Sequence, residues 1–388
     1  MRGRRASTGA LCAAAALLAA TAGSSPGASA GIGIRPVAGE AFFGQVVASG
    51  PATATIARVS TRGASRLVPV TAGVARARVS GAAGPRNVTV VMRNGSGRAV
   101  ARRSTAGAFL LPRSGQVAVP GRRKNHALES ELARIASRHG GVTAIWVQKL
   151  WNGVAAGYNA DAEFPAASLV KLPLAAGAIM RMGGRPWLNA SWPDLVAVLR
   201  QSDDSAANRL VGSVGSGCGS GPDAAAADGL RRLGALHSTY PGCYITEELQ
   251  PRLPAGGLAV TPTWSTRHTT ARDMGRMLFA LQAAAVPTPA GRRQTGIDPL
   301  RARLLLGLLL TADQVGANAS LFTGGLPAGT PVAEKNGWRQ REQHGAAIAY
   351  TRRGPVIMVV LTQRTEDASF ADARAIGTEV ARATLRSG

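Results

Sequence analysis

Between residues 31 and 120 the chain carries twelve arginines, no lysine and a single acid, Glu40. The same stretch has no tryptophan and no tyrosine, whereas all six tryptophans and all four tyrosines follow residue 140. A chain that changes composition this sharply is not expected to fold around one uniform core, and its 388 residues are enough for two domains. The break falls in RSGQVAVPGRRKNH. It separates a basic β-rich domain over 31–120 from a second domain over 124–388.

The first domain reads as a small β-sandwich of six or seven strands. TATIARVS, SRLVPVT, VARARVSG, NVTVVMRNGSGRAVARRS and GQVAVP are short runs punctuated by Gly or Pro. Ala75 to Arg78 alternates apolar residues with arginine, the period of a half-buried strand. Asn94-Gly95 lies between two such runs and signals a hairpin. No catalytic cluster is visible here. Twelve arginines against one acid suit a polyanion. The arginines also fit a second reading, base-composition bias in the coding DNA that leaves them as solvated surface charge.

Residues 1–30 read as a secretory signal. They hold a basic start (Arg2, Arg4, Arg5), an apolar run from Ala10 to Ala20 and a small A-x-A at Ala28 to Ala30. The run is too short to span a bilayer comfortably, and no later segment reads as transmembrane. A secreted or cell-surface address is therefore expected. For such a protein the polyanion would be an anionic cell-wall polymer or a lipid head group, and nucleic acid is not expected. Cys218 and Cys243 are disulfide candidates in an oxidising setting, the alternative being two free thiols.

The second domain opens with a helix in NHALESELARIASRHGG, where Leu128, Leu132 and Ile135 share a face, Asn125 caps the start and Gly140-Gly141 ends it. Two strands follow around Trp151-Asn152-Gly153, then a mostly helical middle, then a strand hairpin in HGAAIAYTRRGPVIMVVLTQ and a helix from about Ser369 to Leu385. The two ends can pair in one antiparallel sheet covered by the terminal helices, an α+β arrangement with a helical subdomain.

Only four of the 45 basic residues are lysines: Lys124, Lys149, Lys171 and Lys335. Lys171 sits in AASLVKLPLAA, three residues after Ser168. Arginine stays protonated, whereas a lysine can be neutralised by burial, so a serine one helical turn before a lysine is a nucleophile beside a base. Alone the pattern is common, and a lysine that snorkels to solvent explains it as well. Downstream lie LRQSDDSAANRL, with Ser202, Asp203, Asp204 and Asn208, and PVAEKNGWRQ, with Lys335, Asn336 and Gly337. Each alone is a turn or cap sequence.

Together, in this order, they resemble the S-x-x-K, S-D-N and K-T-G motifs of the penicillin-recognising serine enzymes, and SDDSAAN resembles the SDNxAAN form of class A β-lactamases. The resemblance covers roughly 124 to 388 and implies an antiparallel sheet flanked by helices. It implies catalytic roles for Ser168 as nucleophile, Lys171 as base, Ser202 as proton relay and Lys335 as its anchor. It implies that the backbone N–H groups of Ser168 and Trp338 form the oxyanion hole. Asp204, Asn336, Gly337 and Trp338 would border the substrate, and Asn208 would be structural. The function implied is an exported serine hydrolase cleaving amide bonds of β-lactams or related wall peptides through an acyl-enzyme on Ser168, without a cofactor or metal, as a monomer.

Four departures qualify this. Asn336 replaces the usual threonine and loses a small hydroxyl on the strand edge, which matters less because its amide can still hydrogen-bond. Asp204 replaces the usual asparagine and should raise the pKa of Lys171, making it a poorer base. The stretch from Lys171 to Ser202 is short for the class, which should open the cleft. The deacylating glutamate has no clear counterpart. Glu247, in ITEELQPRL, is the candidate, beside the reading of an exposed loop residue. Two further readings follow: a D-Ala-D-Ala peptidase or penicillin-binding protein with slow deacylation, and a cell-wall-binding protein with a relic hydrolase domain. No G-x-S-x-G, HExxH or paired CxxC supports other chemistry.

Overall fold

The computed structural model describes residues 31–217, 223–240, 267–286, 296–313, 318–364 and 370–387. The signal-like segment, Cys218, Cys243 and Glu247 lie outside the described residues.

The first part is all β: β1 (Gly33–Arg35), β2 (Ala41–Phe42), β3 (Gln45–Ser49), β4 (Ile56–Thr61), β5 (Ala64–Thr71), β6 (Val74–Arg78), β7 (Gly84–Arg93) and β8 (Ala99–Leu110). They hydrogen-bond in the order β1-β3-β6-β5-β4-β7-β8-β2. Alternate side chains from both halves of this run meet in one core, among them Val46, Ala48, Ala75 and Ala77 with Ala57, Val59, Val88 and Val90. The run therefore folds over on itself in the manner of a sandwich. There are eight strands rather than six or seven, because β1 and β2 are too short to show a period in sequence. GQVAVP, expected as a strand, is not one. A 3-10 turn at Arg113–Gly115 leads into an extended connector whose Val119 N–H donates to Leu150 O at 2.8 Å. The Asn94 hairpin forms, but its loop is longer than an Asn-Gly pair. Asn94 N–H donates to Arg98 O at 3.0 Å, and the left-handed residue is Gly97.

The second part runs β9 (Arg123–Lys124), α1 (His126–Ser137), β10 (Val142–Lys149), β11 (Val154–Tyr158), β12 (Glu163–Pro165), α2 (Lys171–Arg181), α3 (Trp192–Arg200), α4 (Asp204–Val214), α5 (Ala224–Leu233), β13 (His268–Thr270), α6 (Ala271–Ala285), α7 (Pro299–Leu310), β14 (Val332–Trp338), β15 (Glu342–Tyr350), β16 (Pro355–Gln363) and α8 (Phe370–Arg386). Asn125 caps α1, its side chain accepting from Leu128 N–H at 3.0 Å. The main sheet has the order β14-β15-β16-β10-β11-β9, so strands from the two ends of this part pair directly, β10 antiparallel to β16. Every residue of β15 and β16 is buried, which explains the unbroken apolar run PVIMVVL. One face of the sheet (Ile145, Val147, Ala347, Met358, Val360) packs with Leu128 and Leu132 of α1 and Ile376 and Val380 of α8. The other (Ala144, Ala346, Ile348, Val359, Leu361) packs with α2, α6 and α7.

The two parts share this second core, to which Ala41, Phe43, Phe109 and Leu111 contribute. Arg303 of α7 donates to the buried carboxylate of Glu40 at 2.7 Å. Gln282 of α6 donates from Nε2 to Gly115 O at 2.6 Å, while its Oε1 accepts from Tyr350 Oη at 2.8 Å.

Candidate active site

Ser168 lies in a 3-10 turn, Ala167–Val170, that runs straight into α2. Ala167, just before it, has φ +44, a left-handed value uncommon for a residue with a Cβ, so the turn presenting Ser168 is strained. Residues 171 to 179 of α2 are all buried. That is why Lys171 does not snorkel: its stem is enclosed in the buried helix and its amine is held by Ser168, Ser202 and Asp204.

Lys171 Nζ donates to Ser168 Oγ at 3.0 Å and to Ser202 Oγ at 3.4 Å. It also donates to the backbone carbonyl of Ser202 and forms an ion pair with the Asp204 carboxylate. Burial pulls the Lys171 pKa below the usual lysine range, and Asp204 pushes the other way. Asp204 thus has the expected upward influence on this lysine, but desolvation, which the sequence did not weigh, is larger.

Ser202 is the hinge between α3 and α4. Its φ of +60 is left-handed, and the next residue, Asp203, caps α4 by accepting from Ala206 N–H at 2.5 Å. Lys335, on β14, donates to Ser202 Oγ at 2.8 Å and to its neighbour's carbonyl, Asn336 O, at 2.5 Å. Lys335 is buried, and its pKa is driven well below the usual range, first by desolvation and then by the charge of Lys171. The Ser202 hydroxyl therefore stands between two buried amines.

Gly337 supplies the close approach that closes the site. A Cβ there would meet Leu169 N at 3.0 Å and Ala166 O at 3.1 Å, so glycine lets β14 lie against the Ser168 turn without displacing it. Trp338, next on the strand, is about half exposed (49%). The Asn336 amide nitrogen donates to Ala319 O at 2.9 Å, while its Oδ1 is buried with no hydrogen-bond partner among the described residues. Asn208 lies on α4 one turn past Asp204. Ser168, Lys171, Ser202, Asp204 and Lys335 thus form one continuous set of contacts, with Gly337 against it.

Sequence reasoning passed over two residues. His344 on β15 is directly across from Gly337. Its Nε2 donates to Pro165 O at 2.8 Å, and its Nδ1 accepts from Thr362 N–H at 3.2 Å. These partners set the tautomer, and burial lowers its pKa to about 4, so it is neutral at ordinary pH. It fastens the end of β12, three residues before Ser168, to the sheet. Glu334 is buried beside Lys335 in sequence, accepts from Leu321 N–H at 3.1 Å, and has its pKa raised to about 7 by desolvation. A scattered histidine and a lone glutamate carry no spacing signal; strand register reveals the first.

The family model for the beta-lactamase enzyme family matches residues 127–184 and 190–387. The chain belongs to this family. Among solved structures it is similar to a beta-lactamase from Desulfarculus baarsii, at 23% identity and TM-score 0.50, over 66% of this chain and 96% of that one. It is similar to a class A beta-lactamase from Mycobacterium abscessus, at 22% identity and TM-score 0.51, over 67% and 98%. It is also similar to a PBP-A mutant solved as an acyl-enzyme complex with penicillin G, at 16% identity and TM-score 0.51, over 69% and 100%. At these identities the likeness is one of fold. No curated protein matches the chain.

Proposed function

We propose that this member of the family is an exported serine hydrolase that opens amide bonds of β-lactams or related wall peptides through an acyl-enzyme on Ser168. The observation that carries the reading is the unbroken contact path from Ser168 Oγ through Lys171 Nζ and Ser202 Oγ to Lys335 Nζ, with a depressed pKa at both lysines. Neutral Lys171 takes the Ser168 proton as Oγ attacks the carbonyl carbon. The tetrahedral oxyanion is held by backbone N–H groups of Ser168 and Trp338. The C–N bond then breaks, and the amide nitrogen receives a proton through Ser202. Lys335 holds Ser202 and draws the substrate carboxylate. The signal-like residues 1–30 support export.

A second reading is a peptidase or penicillin-binding protein that stays acylated. The sequence favours it, because the glutamate that would activate water for deacylation has no clear counterpart. The PBP-A structure, an acyl-enzyme with penicillin G, is consistent with it.

The test is intact-protein mass over time after adding a penicillin, beside Ser168→Ala. Ser168-dependent drug loss without an adduct is the expected result for a β-lactamase. A lasting Ser168-dependent adduct selects the second reading. Neither adduct nor drug loss would sink both and leave a wall-binding protein with a relic site.

A further inference from the structure

The β-rich first part contributes nothing to the chemistry above, yet one of its faces is regularly built. Register across β5, β4, β7 and β8 lays two neighbouring cross-strand rows on the outer surface. One row is Leu67, Arg58, Val91 and Arg102. The next is Ser65, Ser60, Thr89 and Ser104. In this second row Ser60 Oγ and Ser65 Oγ are 3.2 Å apart, and Thr89 Oγ1 and Ser104 Oγ are 2.8 Å apart. The intervening Ala57, Val59, Val88 and Val90 fill the core, so the pleat turns both rows outward. Arg58 and Arg102 stand two strands apart, roughly 10 Å at ordinary strand spacing.

Among the described residues no acid pairs with Arg58 or Arg102. Glu40, the single acid of residues 31–120, is 2% exposed and paired with Arg303. Nor do the described residues of the second part pack on this face. That part docks on β2 and the far end of β8, where Phe109 enters the shared core. Phe109 lies roughly 23 Å along the strand from Arg102 at the usual rise per residue.

We propose that this face binds a phosphodiester polymer of polyols, Arg58 and Arg102 taking phosphates and the hydroxyl row meeting the polyol hydroxyls. Guanidinium groups match phosphate in geometry and charge, and serine and threonine hydroxyls both donate and accept. Single-stranded nucleic acid is disfavoured because residues 31–120 have no tryptophan or tyrosine, and Phe42, Phe43 and Phe109 are buried, so no stacking platform exists. A duplex is disfavoured because a flat sheet face cannot enter its grooves. A bilayer is disfavoured because Leu67 is the one large exposed hydrophobic side chain on the face, too little to insert.

The test is titration of the full chain with fluorescent poly(glycerol phosphate) at several salt concentrations. Paired Arg58→Ser and Arg102→Ser substitutions should weaken binding at least about tenfold and reduce the salt slope by about two. Paired Arg76→Ser and Arg78→Ser substitutions on β6 remove the same charge elsewhere and should cost less than about threefold. Paired Ser60→Ala and Thr89→Val substitutions should weaken binding several-fold at unchanged salt slope. Equal losses from the two arginine pairs would overturn the proposal in favour of diffuse charge. So would tighter binding to duplex DNA or to phosphatidylglycerol vesicles. If the serine pair alters melting, paired Arg58→Lys and Arg102→Lys substitutions keep the charge and should give an intermediate loss. Ser168→Ala should bind the polymer like the native chain, so this outcome is independent of the hydrolase reading.

Discussion

Lys171 owes its chemistry to what surrounds it. Burial depresses its pKa and Asp204 works against that shift, so Asp204→Asn should carry Ser168 acylation to lower pH. In a pH–rate profile with a chromogenic penicillin, the acid limb should move to lower pH, with a corresponding rate gain on that limb. An unmoved limb would mean that Lys171 is not the base. Glu334 gives a second test. Its folded pKa, about 7, lies above the unfolded value of 4.5. The stability it contributes is therefore full below pH 4.5 and is lost as pH rises through 7. Glu334→Gln, which does not titrate, should gain relative to the native chain above pH 7, by on the order of 2 kcal/mol in denaturant melts at pH 9 against pH 5. The motif serines and lysines were legible because their signal is local spacing. The balance between burial and Asp204 was not, since it depends on how completely α2 is enclosed.

At the scale of elements, α2 is fixed by backbone contact. A Cβ on Gly177 would fall 1.7 Å from Ala225 O, and one on Gly229 would fall 1.8 Å from Pro173 O, so α2 and α5 touch main chain to main chain. Gly229→Ala should push α5 away and cost about 2–3 kcal/mol by urea denaturation. Gly337→Ala meets looser contacts, at 3.0 Å and beyond. It should lower the acylation rate about tenfold while costing about 1 kcal/mol of stability, because it lifts β14 from the Ser168 turn. The helix in NHALESELARIAS and the buried C-terminal hairpin were legible from period and run length. The two-residue β2 was not, because it follows from pairing with β8 rather than from its own side chains. GQVAVP misled for the converse reason: its apolar alternation serves a connector laid against Leu150 and Gln282.

For the whole molecule the charge step in the sequence was plain, but the joint between its two parts was not. Glu40 read only as the lone acid in a basic stretch; in the fold it is buried and paired with Arg303 across that joint. Arg303→Leu would strand that carboxylate and should cost about 3–5 kcal/mol. Calorimetry should then resolve two unfolding transitions, against a single one expected for the native chain.

Gln282 grips the connector at Gly115 and Val117 and is itself held by Tyr350 of the main sheet. The passage between the two parts is therefore a bracket rather than a leash. A leash lets a catalyst sweep every direction within its length. A bracket gives it a heading: if the arginine face lies along a polymer strand as proposed, Ser168 is carried on one bearing relative to that strand, beside the same footing.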